Sequence, residues 1–135
     1  MKKKRLSPDD PLEWLRRARS NLLRAQSKIE GVYLEDLCFD AQQAAEKAIK
    51  AVLISRSIYF PYIHDLAELI SILQRSGLNI PSDILQAARL TRFAVATRYP
   101  GVVEDVTDSE YMDAVAIASK VVVWSEALLS PPSDK

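Results

Sequence analysis

One histidine, His64, stands eight residues after Arg56, in the stretch AVLISRSIYFPYIHDLAEL between two runs with helical patterning. An imidazole at a helix N-terminus feels the positive end of the helix dipole, which favours its neutral, proton-accepting form. A guanidinium can hold a phosphate and stabilise charge that develops on it. Together they have the parts to promote attack of an RNA 2′-hydroxyl on its own phosphate without a metal. One such pair is a small apparatus, and a two-fold dimer would bring two pairs into one cleft. A structural reading stands beside this one. In it His64 caps the third helix, assisted by Asp65, and Arg56 decorates the end of the second.

Arg89, Arg92 and Arg98 form a second group. Positions 89 and 92 lie one turn apart on one face, and Arg98 opens the tripeptide RYP. They read either as a site for an anion such as a nucleotide phosphate, or as ion pairs with the acidic residues of the second helix. Tyr99 before Pro100 reads as a packed helix stop, and Cys38 as a small core residue. No Gly-rich phosphate loop, GxSxG, HExxH, CxxC or EF-hand loop is present. One Cys and one His cannot build a structural zinc site, and the second helix has no ExxH pair for a di-metal centre. No cofactor is implied.

Five helical segments must position these residues. The first opens at SPDDPLEW, with Ser7 as N-cap and Pro8 at the first helical position. Its seam runs through Leu15, Ala18, Leu22, Ala25 and Ile29, and Gly31 ends it. Arg16, Arg17, Arg19 and Arg24 lie off that seam. The second, YLEDLCFDAQQAAEKAIKAVLISRS, carries a broad apolar stripe that includes Ala41, Ala44, Ala45 and Ala48. Asp36, Asp40, Gln43, Glu46, Lys47 and Lys50 read as its polar face. Pro61 makes residues 58–63 a short aromatic loop. HDLAELISILQRSG resumes helix with Leu66, Leu69, Ile70 and Leu73 inward, ending at Gly77. PSDILQAARLTRFAVATRYP reads as a fourth helix between Pro81 and Pro100. The fifth begins at a Thr107–Glu110 capping box and runs to Leu129.

With 135 residues, 48% hydrophobic and 27% charged, the chain fits one domain with a real core. Only 3 Gly against 7 Pro favours long helices over a sheet with many turns. The pattern predicts an all-α protein, a five-helix up-and-down antiparallel bundle over residues 8–130. A basic tail (1–7) precedes it and a disordered tail (131–135) follows. Net charge is zero but divided, +5 over residues 1–30 and −5 over 31–135. The basic first helix could meet phosphate or an acidic partner, or simply be a solvated face. The interrupted apolar runs exclude a membrane span, and MKKKR followed by polar residues is not a secretory signal. A cytoplasmic location is expected. Trp14, Phe39, Val102, Val103 and Trp124 lie off the main seams and suggest a second buried surface, most simply a homodimer.

DLCFDAQQAAEKAIKAVLI, then HDLAELI, then RYP and a final Ala/Val-rich helix resemble the HEPN domain family (higher eukaryotes and prokaryotes nucleotide-binding) over roughly residues 9–130. The AQQAAEKAIKA run is the most specific part. The resemblance implies a five-helix bundle that dimerises. It also implies a minimal nucleotidyltransferase as partner, often in a toxin–antitoxin pair whose HEPN member is a metal-independent RNase. The family's nuclease motif is Arg, four to six residues, then His, with a polar residue after the Arg. It maps here onto Arg56, Ser57 and His64, with seven residues between Arg and His. Asp65, Leu66 and Ala67 follow the histidine, where some regulated members have a tyrosine. Members without the active motif serve as non-catalytic nucleotide- or partner-binding subunits, which is the alternative reading.

Overall fold

A computed structural model describes residues 6–94 and 105–129. Helix α1 spans Pro11–Ala25, α2 Leu34–Ser55, α3 Leu66–Arg75, α4 Ser82–Leu85 and α5 Asp108–Leu129. A 3-10 helix, Gln86–Phe93, follows α4 directly. The described residues contain no strand. The all-helical bundle predicted from the pattern is therefore the observed architecture.

Polar contacts fix the helix directions. Asn21 on α1 donates to Asp40 on α2, while Lys50, farther along α2, lies near Trp14, earlier on α1. These two helices therefore run antiparallel. Tyr111 donates to the Ala25 carbonyl and Arg19 pairs with Glu126, which makes α5 antiparallel to α1 as well. Helices α2 and α5 consequently run in the same direction: Glu35 accepts from the Val106 amide near their starts, and Ser125 donates to the Ala48 carbonyl near their ends. The excursion through α3, α4 and the 3-10 helix returns the chain to the end of the bundle where α2 begins.

Helix α2 is the centre. Ala41, Ala44, Ala45 and Ala48 are wholly buried, and their short side chains let neighbouring backbones come close. Its polar side, read from sequence as one face, is solvated only in part: Asp36 is exposed and Gln43 and Lys47 are half-buried. Asp40, Glu46 and Lys50 are buried too. A helix enclosed by α1, α5 and the 3-10 segment has little side left for water.

Several boundaries differ from the pattern. Helix α1 starts three residues later than Ser7–Pro8 suggests, because Asp10–Pro11 repeats the same signature: the Asp10 carboxylate accepts from the Leu12 amide at 2.9 Å. It also stops early, at Ala25, so Ile29 is 61% exposed and outside the seam. Gly31, with φ +94°, serves the following turn and not the helix end. The Gly77 stop is observed: φ is +102°, and the Gly77 and Leu78 amides donate to the Gln74 and Leu73 carbonyls. Among the described residues of the expected fourth helix, which end at Ala94, only the four of Ser82–Leu85 are α-helical, and its Pro100 stop lies outside them. Ile84, Ala87, Leu90 and Phe93 are all buried at a strict spacing of three, the period of a 3-10 helix, which lines them up where an α-helix would rotate them apart. The Thr107–Glu110 capping box forms in both directions, at 2.9 and 3.1 Å.

Close packing at the α2–α5 contact gives a first prediction. Ala48→Leu forces extra volume beside the Ser125–Ala48 hydrogen bond. It should destabilise the fold by about 1–3 kcal/mol, read as a lowered urea midpoint at unchanged slope.

Candidate functional site

The segment joining α2 to α3 holds both residues of the Arg–His pair. Arg56 is the C-cap of α2, exposed, with no ion pair or side-chain hydrogen bond among the described residues. The turn after it is a Schellman motif: Ser57 N–H donates to the Ile54 carbonyl at 3.0 Å and Ile58 N–H to the Leu53 carbonyl at 2.9 Å. Ser57 occupies the left-handed position, φ +57°, that glycine usually takes. It is the only non-glycine residue in that conformation among those described. Ile58, Phe60 and Ile63 pack on the core, so the segment is anchored along its length.

His64 does not cap α3. Asp65 does, accepting from the Ala67 and Glu68 amides at 3.0 and 3.4 Å. The imidazole turns back to α2 instead. Its Nδ1 lies 3.1 and 3.0 Å from the two carboxylate oxygens of Glu46. The side chain of His64 is 44% exposed while that of Glu46 is 4% exposed, so one edge of the ring is held by a buried group and the rest meets solvent. The Tyr62 ring stands edge-on to the imidazole, with centroids 5.5 Å apart.

Glu46 belongs to a buried polar unit. Gln42 Nε2 donates to one carboxylate oxygen at 2.7 Å and Lys50 Nζ to the other at 2.8 Å. Lys50, 3% exposed in its side chain, lies 6.0, 5.7 and 5.5 Å from the ring centres of Trp14, Phe60 and Tyr62. Three aromatic rings thus supply the electron-rich faces that a buried ammonium favours. Burial disfavours the Glu46 charge. Hydrogen bonds from Lys50 and Gln42, the Lys50 charge and the His64 contact outweigh it, leaving the carboxyl below its usual pKa. Trp14, read from sequence as part of a second buried surface, is engaged here within the chain, and Trp124 packs against the core.

A second polar group lies beside the first. Asn21 receives from Lys47 Nζ at 2.8 Å and donates to Asp40 at 3.1 Å, while Arg24 lies 3.5 Å from Asp40. Burial and the Arg17 charge push the Lys47 ammonium below its usual pKa; Glu46 and Asp40 pull the other way, and Arg24 adds to the depression. Arg89 pairs with Asp113 at 2.7 Å, and Arg92 lies 3.8 Å from Glu110 and 4.2 Å from the Phe93 ring centre. Their partners are on α5, not α2, and both guanidinium groups remain half exposed. Arg98 lies outside the described residues, as do Tyr99, Val102 and Val103. Cys38 is wholly buried, and burial raises its thiol pKa to about 11, which makes it an inert core residue. Among the described residues no group of three or more His, Cys, Asp or Glu could hold a metal ion, and no helix is long and apolar enough to cross a membrane.

Sequence reasoning thus found His64 and missed Glu46, Lys50 and Gln42 as its neighbours. A signal was present: Gln42, Glu46 and Lys50 follow one another at i, i+4 and i+8, a row on one helix face. The burial of that row generates a prediction. Because the folded-state pKa of Glu46 lies below its unfolded value near 4.3, its contribution to stability is complete above that value and is lost as pH falls through the folded pKa. Glu46→Gln should therefore cost about 3–5 kcal/mol at pH 7, where it strands Lys50. The deficit should narrow towards pH 3, measured by urea unfolding at both pH values.

Comparisons with known proteins agree with this architecture. The HEPN domain model matches residues 12–128. The protein TT1696 from Thermus thermophilus is similar in structure at a TM-score of 0.77, with 31% sequence identity over 90% of this chain and 99% of that one. ST0689, described as an archaeal HEPN homologue, is similar at a TM-score of 0.71, with 27% identity over 95% of this chain and 100% of its own. No curated protein matches the chain. With a family model that covers most of its length, the chain belongs to the HEPN domain family.

Proposed function

We propose that this HEPN protein is a metal-independent endoribonuclease that acts through Arg56 and His64. The observation that carries the reading is the presentation of the imidazole. His64 is half exposed, is backed by a buried carboxylate, and follows an exposed arginine on one anchored segment. In the proposed reaction Nε2 takes the proton of a ribose 2′-hydroxyl as its oxygen attacks the adjacent phosphorus. Arg56 balances charge on the non-bridging oxygens, and the 5′-oxygen leaves with a proton. The products are a 2′,3′-cyclic phosphate and a 5′-hydroxyl. A homodimer would supply a second imidazole to protonate that leaving oxygen. Exposed Tyr59 and Tyr62, on the segment that carries Arg56 and His64, provide aromatic surface for a second copy to cover.

The same reading places the protein in the cytoplasm beside a minimal nucleotidyltransferase, as the toxin of a toxin–antitoxin pair. The non-catalytic alternative would use Arg89 and Arg92, with Arg98, for a nucleotide phosphate. In the described structure the first two already hold α5 carboxylates, so a phosphate would have to displace them.

Purified protein should cleave single-stranded RNA in EDTA and leave 2′,3′-cyclic ends. His64→Ala and Arg56→Ala should each lower the rate by at least about a hundredfold while leaving the melting temperature close to that of the parent. Undiminished cleavage by His64→Ala would remove the proposed site. RNA left intact by the parent, with nucleotide binding lost in Arg89→Gln/Arg92→Gln, would establish the alternative.

A further inference from the structure

We infer that Glu46 is the positioning residue for His64, fixing its imidazole as the Nδ1–H tautomer with Nε2 outward, and that Lys50 keeps this carboxylate ionised. The inference concerns the site of the proposed cleavage, but its geometry does not depend on any substrate.

An ionised carboxylate only accepts hydrogen bonds. With both Glu46 oxygens near 3 Å from Nδ1, that ring nitrogen must be the one bearing hydrogen. In a neutral ring Nε2 then carries the lone pair. A protonated Glu46 could reverse the arrangement by donating to Nδ1, and the surroundings oppose this. Lys50 and Gln42 both donate to the carboxylate. The Gln42 amide is itself oriented, because its oxygen accepts from Gln43 Nε2 at 2.8 Å and so turns its NH2 group to Glu46.

Lys50 also decides which cation balances the carboxylate. Two basic groups face one acid, and the ammonium is the enclosed one, 3% exposed and 2.8 Å from the carboxylate, while the imidazole is 44% exposed. The titratable or charged groups around the ring are Glu46 and, behind it, Lys50 from α2, with Tyr62 and Asp65 from its own segment. Helix α1 contributes the uncharged Trp14 ring at Lys50. Asp65 spends its carboxylate on the α3 amides.

Because His64 is the chain's only histidine, its ring nitrogens can be read without assignment ambiguity in the intact, uniformly 15N-labelled protein. Long-range 1H–15N correlation spectra over a pH series report both tautomer and titration. The unsubstituted protein should show the Nδ1–H form on the basic side of the His64 titration. Glu46→Gln should shift the population towards Nε2–H, the form free imidazoles favour, and Glu46→Asp should restore part of the original signature. Lys50→Met should raise the pH at which the Glu46 carboxyl carbon titrates, because the ammonium that favours its charge is gone, and an unmoved carboxyl titration would overturn the role given to Lys50. An Nε2–H ring in the unsubstituted protein overturns the inference, as does a tautomer unmoved by Glu46→Gln in a folded variant. The spectrum of the unsubstituted protein decides the tautomer even if a substituted chain fails to fold. The measurement uses no RNA, so failure of the cleavage reading and failure of this one are separately visible.

Discussion

A carboxylate and an ammonium buried one turn apart on the central helix set the terms for this molecule. Taking Glu46 and Lys50 out of water is costly, and the pair is tolerable only if every remaining valence finds a partner. The fold meets that demand from three directions. Helix α2 supplies Gln42, the α2–α3 segment brings His64, Phe60 and Tyr62, and α1 lays Trp14 over the ammonium. None of the described buried side-chain polar atoms is left without a hydrogen bond. Removing either charge of the pair strands the other against the desolvation cost that the two offset together.

The same polar contacts resolve a problem that the apolar ones leave open. An alanine-lined face lets helices approach closely, but it offers little shape to fix how far one slides along another. On the α1 side the register is marked by Asn21 between Asp40 and Lys47, and by Trp14 at Lys50. On the α5 side it is marked by Glu35 at the Val106 amide and Ser125 at the Ala48 carbonyl. Buried polarity here specifies alignment at a cost in raw stability, a trade known from coiled-coil interfaces.

This division explains what could be read in the sequence. Helix existence and most core positions were legible because burial on one side imprints a periodic pattern. The inward set Leu66, Leu69, Ile70 and Leu73 of α3 is buried as expected. The charged row of α2 was misread for a physical reason. Charge normally marks solvent, and only tertiary neighbours can turn a Gln–Glu–Lys row inward. The change from α to 3-10 geometry after Leu85 was legible in the strict three-residue spacing from Ile84 to Phe93, but an apolar helix-like segment masks it unless that period is tested. His64 was visible by its rarity. Its partner was not, because eighteen residues separate it from Glu46 and no local rule links them.

The seven-residue gap between Arg56 and His64 acquires a meaning in this light. If the imidazole were placed only by counting along the chain from the arginine, one extra residue would displace it. Here its position is set by a tether across space, from Nδ1 to a carboxylate on the rigid interior of α2. The residues between then have work of their own, since Phe60 and Tyr62 must reach over Lys50 while Ile58 and Ile63 stay on the core. Ser57 takes up the resulting sharp turn in a left-handed conformation, at a strain of about 1–2 kcal/mol. The segment must span this path to seat both rings on the ammonium and the imidazole on Glu46. Loop length and ion pair therefore constrain each other, and the tether to Glu46 is what lets the histidine keep its place at this spacing.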